Sequence, residues 1–460
     1  MQVFRYSGPE FSPYGDDERD ATAEPGPWRA PVASRPLTAT LSLPGSKSLT
    51  NRELVLASLA DAPSRLIAPL HSRDTLLMVE ALRSLGVTIE ELATDSPYGG
   101  DWLVTPGPLE GGTSIDCGLA GTVMRFLPPV AALALGPVAF DGDAGARRRP
   151  MRTTIDSLRA LGVDVTDDGR GTLPFSLYGT GEVAGGEVEI DASASSQFVS
   201  GLLLAAPRFT KGLRLRHSGE RLPSLPHIEM TIACLAARGV TVTSPEPGVW
   251  VVPPSPIAGI DVAIEPDLSN AAPFLAAALV AGGSVTISGW PATTTQVGAD
   301  LEQLLPLFGA TINREGTSLT VTGGRSIRGV DLDLSTGGEL APALVALAAL
   351  ADSPSRITGI GHLRGHETDR LAALTAEING LGGAVTELDE GLEIDPRPLH
   401  AGLWHSYEDH RMATAGAIIG LAIEGVEIDD IATTSKTLPQ FPELWAGILS
   451  EPAATSIGIL

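Results

Sequence analysis

The chain has 460 residues, 43% of them apolar, and a formal charge of -24 at pH 7. That length exceeds what one compact core organises, so two domains are expected. The acidity excludes nucleic acid and anionic membrane as general partners, because both need a basic face, and it makes every local cluster of Lys and Arg informative.

The first stretch, "MQVFRYSGPEFSPYGDDERDATAEPGPWRAP", is acidic, rich in Pro and Gly, and lacks an apolar core segment. It reads as neither a signal peptide nor a basic transit peptide, and residues 1–35 are expected to form a mobile extension. Cys117 and Cys234 are too few for a disulfide framework and suit a reducing compartment. No CxxC spacing occurs, so no metal site is expected.

"LPGSKSLTNRELVLASLA" follows, with a Pro-Gly turn, Lys47 between two serines, and Ser48 and Arg52 one helical turn apart. By itself this is a helix N-cap at Ser46 or Ser48 with a solvated lysine. It is not a Walker A loop, since no glycine precedes Gly45 at the required spacing. A helix start carrying a cation is also a good site for carboxylate or phosphate, because free N–H groups and the dipole add to the charge.

Further along the chain the same logic recurs. "DCGLAGTVMRF" offers a Gly121 turn where backbone can approach a ligand, or a site of close packing. "DGDAGARRRPM" sets Arg147, Arg148 and Arg149 before a helix-opening proline. "DASASSQFVSGLLLAA" places Ser195, Ser196 and Gln197 at the start of an apolar helix, where they can cap it or donate to a phosphate ester. Glu339 begins the apolar helix "GELAPALVALAAL", and "LRGHETDRL", "YEDHRMATAG" and "TTSKTLPQF" bring Glu367, Arg370, Arg411 and Lys436. Each cation alone is ordinary; several at helix starts in an acidic chain point to an anionic ligand. Glu339 and Glu367, beside them, are either caps and ion-pair members or acid and base groups.

Between these motifs the chain repeats itself. Six segments of the type "LAAALVAGGSVTISGWPATTTQ" join an aliphatic helix end to an alternating strand and a polar loop, recurring every roughly 70 to 75 residues. Others, such as "LRALGVDVTDDGRGTLPFSLYG", close a helix on glycine and continue as a hairpin. Six mixed units divide into two α/β (α+β) domains of three, with helices apolar nearly all round buried inside and polar loops gathered at a cleft.

Taken together, "LPGSKSLTNR", "GLAGTVMRF", "ASSQF", "GHETDR", "YEDHRMA" and "TSKTLPQFP" resemble the 5-enolpyruvylshikimate-3-phosphate synthase family in order and spacing, from about Ala39 to about Trp445. The resemblance implies two domains, each three copies of a βαβαββ-type unit with buried helices and outward sheets, an inside-out α/β barrel. It divides them as 36–46 with 265–460, and 47–264, with the active site between. It further implies transfer of the enolpyruvyl group of phosphoenolpyruvate to the 5-hydroxyl of shikimate 3-phosphate through a tetrahedral intermediate, without metal or organic cofactor, by a cytoplasmic monomer that engages small molecules only.

Carried over by position, Lys47, Gly121, Arg149, Gln197, Arg370, Arg411 and Lys436 match the phosphoenolpyruvate site. Ser48, Arg52, Ser195, Ser196, Gln197, Ser224, Glu339 and His366 match the shikimate 3-phosphate site. The implied roles are Glu367 as acid toward the methylene carbon, Glu339 as base toward the hydroxyl, and Lys47 as stabiliser of developing charge. The chain departs from the family's usual Asp at Glu339, Lys at His366 and Asn at Leu119. His366 is therefore expected to make a contact pH-dependent, and Leu119 to have no side-chain binding role.

Two rivals stand beside this reading. The related UDP-N-acetylglucosamine enolpyruvyl transferases carry a reactive cysteine in the loop matching "DGDAGARRRP", which has none here; Cys117, in the glycine turn, reads as a small core residue. A non-catalytic repeat scaffold is compatible with repetition but has no use for cations, donors and carboxylates gathered in the loops of both halves.

Overall fold

The computed structural model describes residues 26–450. The part of the expected N-terminal extension before Gly26 lies outside the described residues. The rest of it, 26–35, is packed: Trp28–Arg29 pairs antiparallel with Val426–Ile428, and Ala30 is buried with its N–H donated to the Val426 carbonyl. The sequence hid this because a two-residue strand in a Pro-rich stretch has no periodicity to read.

Two separate hydrophobic cores form, one from residues between 54 and 257, the other from 37–43 and 268–448. Three helices run through the middle of each core, and three sheets stand around it. Helices Lys47–Ser58, Gly121–Ala131 and Gln197–Ala205 pack on one another in the first; Leu268–Ala281, Ala341–Ala349 and His410–Gly420 do so in the second. Ala341–Ala349 and Gly121–Ala131 carry no polar stripe and are buried along their whole lengths. Each fully buried leucine there contributes about 2 kcal/mol.

The sheets lie outside. In a typical one, Thr113–Asp116 runs parallel to Leu135–Asp141, which pairs antiparallel with Phe175–Thr180, whose hairpin partner is Asp164–Thr166. The register Ile115↔Phe140 and Val138↔Leu177 turns apolar side chains onto the helices, and alternate positions face solvent. With the helices Gly121–Ala131 and Arg152–Ala160 this is one βαβαββ unit.

Two units borrow their first strand from across the chain. Leu37–Leu41 pairs parallel with Gly283–Ser288, and Val262–Ala263 with Ser64–Ile67. The chain thus passes between the cores twice, and the two passages lie side by side: Ser46 N–H donates to the Glu265 carbonyl and Asp267 N–H to the Pro44 carbonyl. Gly45 is needed there, because a Cβ would sit 2.4 Å from the Ala68 carbonyl oxygen. Among the described residues the last unit has no hairpin, and Trp28–Arg29 pairs at the edge of its three-stranded sheet.

Candidate active site

Helix starts from both bodies meet in one cavity. From the first come Lys47, Ser48, Gly121, Arg149, Ser195, Ser196, Gln197 and Ser224; from the second, Glu339, His366, Glu367, Arg370 and Arg411. Of the residues expected from the sequence, Arg52 and Lys436 alone do not line it.

Ser46 caps the Lys47–Ser58 helix, its side chain accepting from Leu49 N–H, and the Asp267 carboxylate accepts the Lys47 N–H at 3.1 Å. Asp267 also caps its own helix, Leu268–Ala281, through Asn270 N–H. One carboxylate therefore fastens two helix starts, one from each body, on either side of the cavity. The Lys47 ammonium points inward, 3.4 Å from Asp74 Oδ2.

Arg52 is 2% exposed and stands one layer behind the cavity. It donates to the Ser48 and His227 carbonyls and to the Thr231 and Ser200 hydroxyls. Burial lowers its pKa to about 10, yet it remains charged at neutral pH. A charge repeat at i, i+4 does not say which member faces a ligand; apolar packing decided that, with Phe126 against the guanidinium.

Gly121 opens its helix where Arg149 and Gln197 converge: a Cβ would lie 3.0 Å from Gln197 Oε1 and 3.1 Å from Arg149 Nη2. Arg149 is buried, donates to the Leu119 carbonyl, and has no partner for its Nε. Its neighbours Arg147 and Arg148 turn outward, and Arg147 pairs with Asp141 at the surface. Leu119 has no polar side chain, but its carbonyl accepts from both Arg149 and Lys436. Cys117 and Cys234 are free and buried. Burial pushes the Cys117 thiol well above the ordinary range.

On the other side, Asp409 caps the His410–Gly420 helix by accepting the Arg411 N–H, and holds Arg370 through Nε at 2.7 Å and Nη2 at 3.1 Å. Both members of that pair are buried, so its geometry is rigid. Arg370 in turn donates to Glu367 Oε2 at 3.0 Å, and Lys436 to Glu367 Oε1 at 2.7 Å. Burial would raise the Glu367 pKa; Lys436, Arg370 and Arg149 overrule it and hold the carboxyl well below its usual range. For Glu339, too, burial is opposed, here by His227, Arg411 and Lys47, and the group is firmly ionised.

The expected pH-dependence of His366 does not follow. Burial, with Arg370 beside it, puts its pKa well below the ordinary value, so the ring is neutral at physiological pH. A cation-rich cleft disfavours a further proton.

Several lining residues escaped the sequence reading: Thr122, His227, Asp267, His362 and His410. Both ring nitrogens of His410 are buried and unpartnered. The signals were present, since His410 lies within "YEDHRMATAG" and His362 directly precedes "LRGHETDRL", but a lone histidine does not reveal its direction. Among the described residues no cluster of His, Cys, Asp or Glu could hold a metal, and no helix is long and apolar enough to cross a membrane.

Known proteins resemble this chain over most of its length. The family model for EPSP synthase (3-phosphoshikimate 1-carboxyvinyltransferase) matches residues 32–445. A Kocuria rhizophila protein named 3-phosphoshikimate 1-carboxyvinyltransferase is 57% identical over 429 residues, 92% of this chain and 96% of that one. Among solved structures, EPSP synthase from Acinetobacter baumannii superposes with a TM-score of 0.76 at 23% identity, over 92% of this chain and 98% of the other. The enolpyruvyl transferase NikO from Streptomyces tendae gives 0.72 at 18% identity, over 92% and 98%. The last two bear on the fold alone.

Proposed function

The chain belongs to the EPSP synthase family, and from that membership we infer the division of labour among the residues of its cleft. The enzyme transfers the enolpyruvyl group of phosphoenolpyruvate to the 5-hydroxyl of shikimate 3-phosphate, releasing phosphate. Both substrates are multiply anionic. The observation that carries the assignment of roles is the convergence of Lys47, Arg370 and Arg411, each in the first turn of a helix, and of Arg149 on one cavity of a chain whose charge is -24.

In this reading Arg149, Arg370, Arg411 and Lys47 clamp phosphoenolpyruvate, with Lys436 fixing Glu367 from behind. Ser195, Ser196 and Ser224 donate to the 3-phosphate, Gln197 stands between the ligands, and Ser48 meets the shikimate carboxylate, with Arg52 supplying charge one layer back. His366 contacts shikimate 3-phosphate as a neutral ring. Glu339, ionised, takes the hydroxyl proton as that oxygen bonds to C2 of phosphoenolpyruvate, and Lys47 stabilises the developing charge.

Glu367 delivers a proton to the C3 methylene. It must first acquire one, and the arriving phosphoenolpyruvate favours this: an anion beside a carboxylate raises its pKa and offsets the charge of Arg370 and Arg149. The addition yields a ketal phosphate; loss of phosphate and of a C3 proton regenerates the enol ether. No metal or organic cofactor enters this scheme. Residues 36–46 with 265–460, and 47–264, act as the two domains, and their closure excludes water. Since one chain supplies both walls, the reading includes a monomer; with free, buried cysteines it includes a cytoplasmic setting.

Phosphate release from phosphoenolpyruvate by the purified protein tests the activity, and Lys47→Met tests the roles. Release is expected only with shikimate 3-phosphate, and the variant is expected to lose about 10³-fold in rate while keeping its melting temperature. Release with UDP-N-acetylglucosamine instead, or a variant at wild-type rate, overturns the respective reading.

A further inference from the structure

Glu339 has a polar neighbour on each of two sides. Its Oε2 meets Arg411 Nη2 at 3.3 Å, within the second body. Its Oε1 faces His227 Nε2 at 3.7 Å, and His227 belongs to the first. No role for His227 follows from the sequence motifs, yet it is firmly placed. It lies in the first turn of Leu225–Ala237, and its carbonyl accepts from Arg52, Thr231 and Ser200.

The same two segments touch a second time. Ser224 N–H donates to the Ser335 carbonyl at 3.3 Å, with Ser224 held at φ 53°, a left-handed conformation costly for a residue with a Cβ. Strain of this kind persists where surrounding contacts over-determine it. Here it aims the 224–227 segment at the 335–339 segment across the cavity. The Ser224–Ser335 hydrogen bond joins the two segments, and His227 Nε2 stands 3.7 Å from Glu339 Oε1 beside it.

We propose that His227 is a positioning residue for Glu339, presenting Nε2–H to Oε1 from the opposite body so that the carboxylate is aimed at the substrate hydroxyl only when the two bodies are together. This rests on the reading of Glu339 as the base. A carboxylate held by Arg411 alone can swing about its χ angles; the second contact removes that freedom, and the far body supplies it. Proton abstraction is thereby coupled to closure without any change at Arg411. A loss of this orientation acts on the chemical step, because a misplaced base costs rate more than binding.

The experiment is a double-mutant cycle on steady-state phosphate release, with His227→Ala, His227→Gln, Glu339→Ala and the double variant His227→Ala/Glu339→Ala, each checked for an unchanged melting curve. His227→Ala is expected to lower kcat about 30-fold with both KM values within about threefold. His227→Gln, whose amide N–H can reach the same oxygen, is expected to return within about threefold of wild type. The double variant is expected to be no more than about twofold slower than Glu339→Ala. Additive losses, a change confined to the KM for shikimate 3-phosphate, or equal losses in the Ala and Gln variants overturn the proposal. If Glu339→Ala alone retains wild-type kcat, the base reading itself fails and the proposal falls with it; an intact Glu339→Ala loss with an inert His227→Ala overturns the proposal only.

Discussion

Lys436 Nζ lies 2.7 Å from Glu367 Oε1 and 3.0 Å from the Leu119 carbonyl oxygen, so one buried ammonium ties an acidic group of the second body to the backbone of the first. Among the described residues no other side chain hydrogen-bonds both to Glu367 and to the first body. The ammonium does not line the cavity; it acts through Glu367 and through the position of the turn that precedes Gly121.

Lys436→Met removes both contacts and leaves Glu367 to Arg370. Turnover is expected to fall about 10²-fold or more, with a raised KM for phosphoenolpyruvate, because the carboxyl loses its fixed orientation and the wall its tie. Initial rates at varied phosphoenolpyruvate check this; a variant within threefold of wild type in both constants contradicts it.

Gly121→Ala tests the crowding at the phosphoenolpyruvate end. The new methyl presses on Arg149, Gln197 and Arg125 at 2.9 to 3.1 Å, distances at which side-chain ends must shift by tenths of an ångström. Those shifts displace the clamp without opening a cavity. The KM for phosphoenolpyruvate is expected to rise about tenfold and the KM for shikimate 3-phosphate to change little, with kcat within about fivefold.

Three cleft histidines make stability depend on pH. Burial lowers the pKa of His362 to about 4 and those of His366 and His410 well below the ordinary value. In the unfolded chain each binds a proton near pH 6.5. Between that value and about 4 the unfolded state therefore holds more protons, and stability falls as pH falls through this window. The Glu339 and Glu367 carboxyls, held low, add their loss only below about pH 4.3. Urea midpoints at pH 7.5, 6 and 5 are expected to decline, and His362→Gln to flatten the decline; an identical slope in the variant refutes the sign argument.

Glu408 offers a gain. It is exposed and sits at φ 56°, directly after Tyr407 at φ 55°, in the turn that delivers Asp409, His410 and Arg411. Tyr407 is fastened by its hydroxyl to Glu377, whereas asparagine tolerates the left-handed region better than glutamate does. Glu408→Asn is expected to stabilise the protein by about 0.5–1 kcal/mol with kcat unchanged, read by thermal melting.

Much of this architecture is local. Gly-closed helices, alternating hairpins and Ala/Leu helices without a polar face specify the repeating α/β unit, because propensity, capping and burial pattern act over a few residues. The cations at helix starts were visible for the same reason: Lys47, Arg370 and Arg411 each belong to the element that displays them, and their side chains leave the first turn in a direction that the helix sets.

Relations between distant segments were decided by tertiary structure. The pairing of Leu37–Leu41 with Gly283–Ser288, and of Trp28–Arg29 with the last sheet, depends on edges that exist only once the bodies have formed. So does the withdrawal of Arg52 behind the cavity wall, the neutrality of His366 among fixed cations, and the meeting of His227 with Glu339. Orientation and electrostatic environment are properties of all neighbours together, and the neighbours of these residues come from chain positions far apart. The sequence by itself determined the unit, its sixfold recurrence and the cations; the direction each side chain faces, and hence the chemistry it can perform, arose where two bodies close on one cavity.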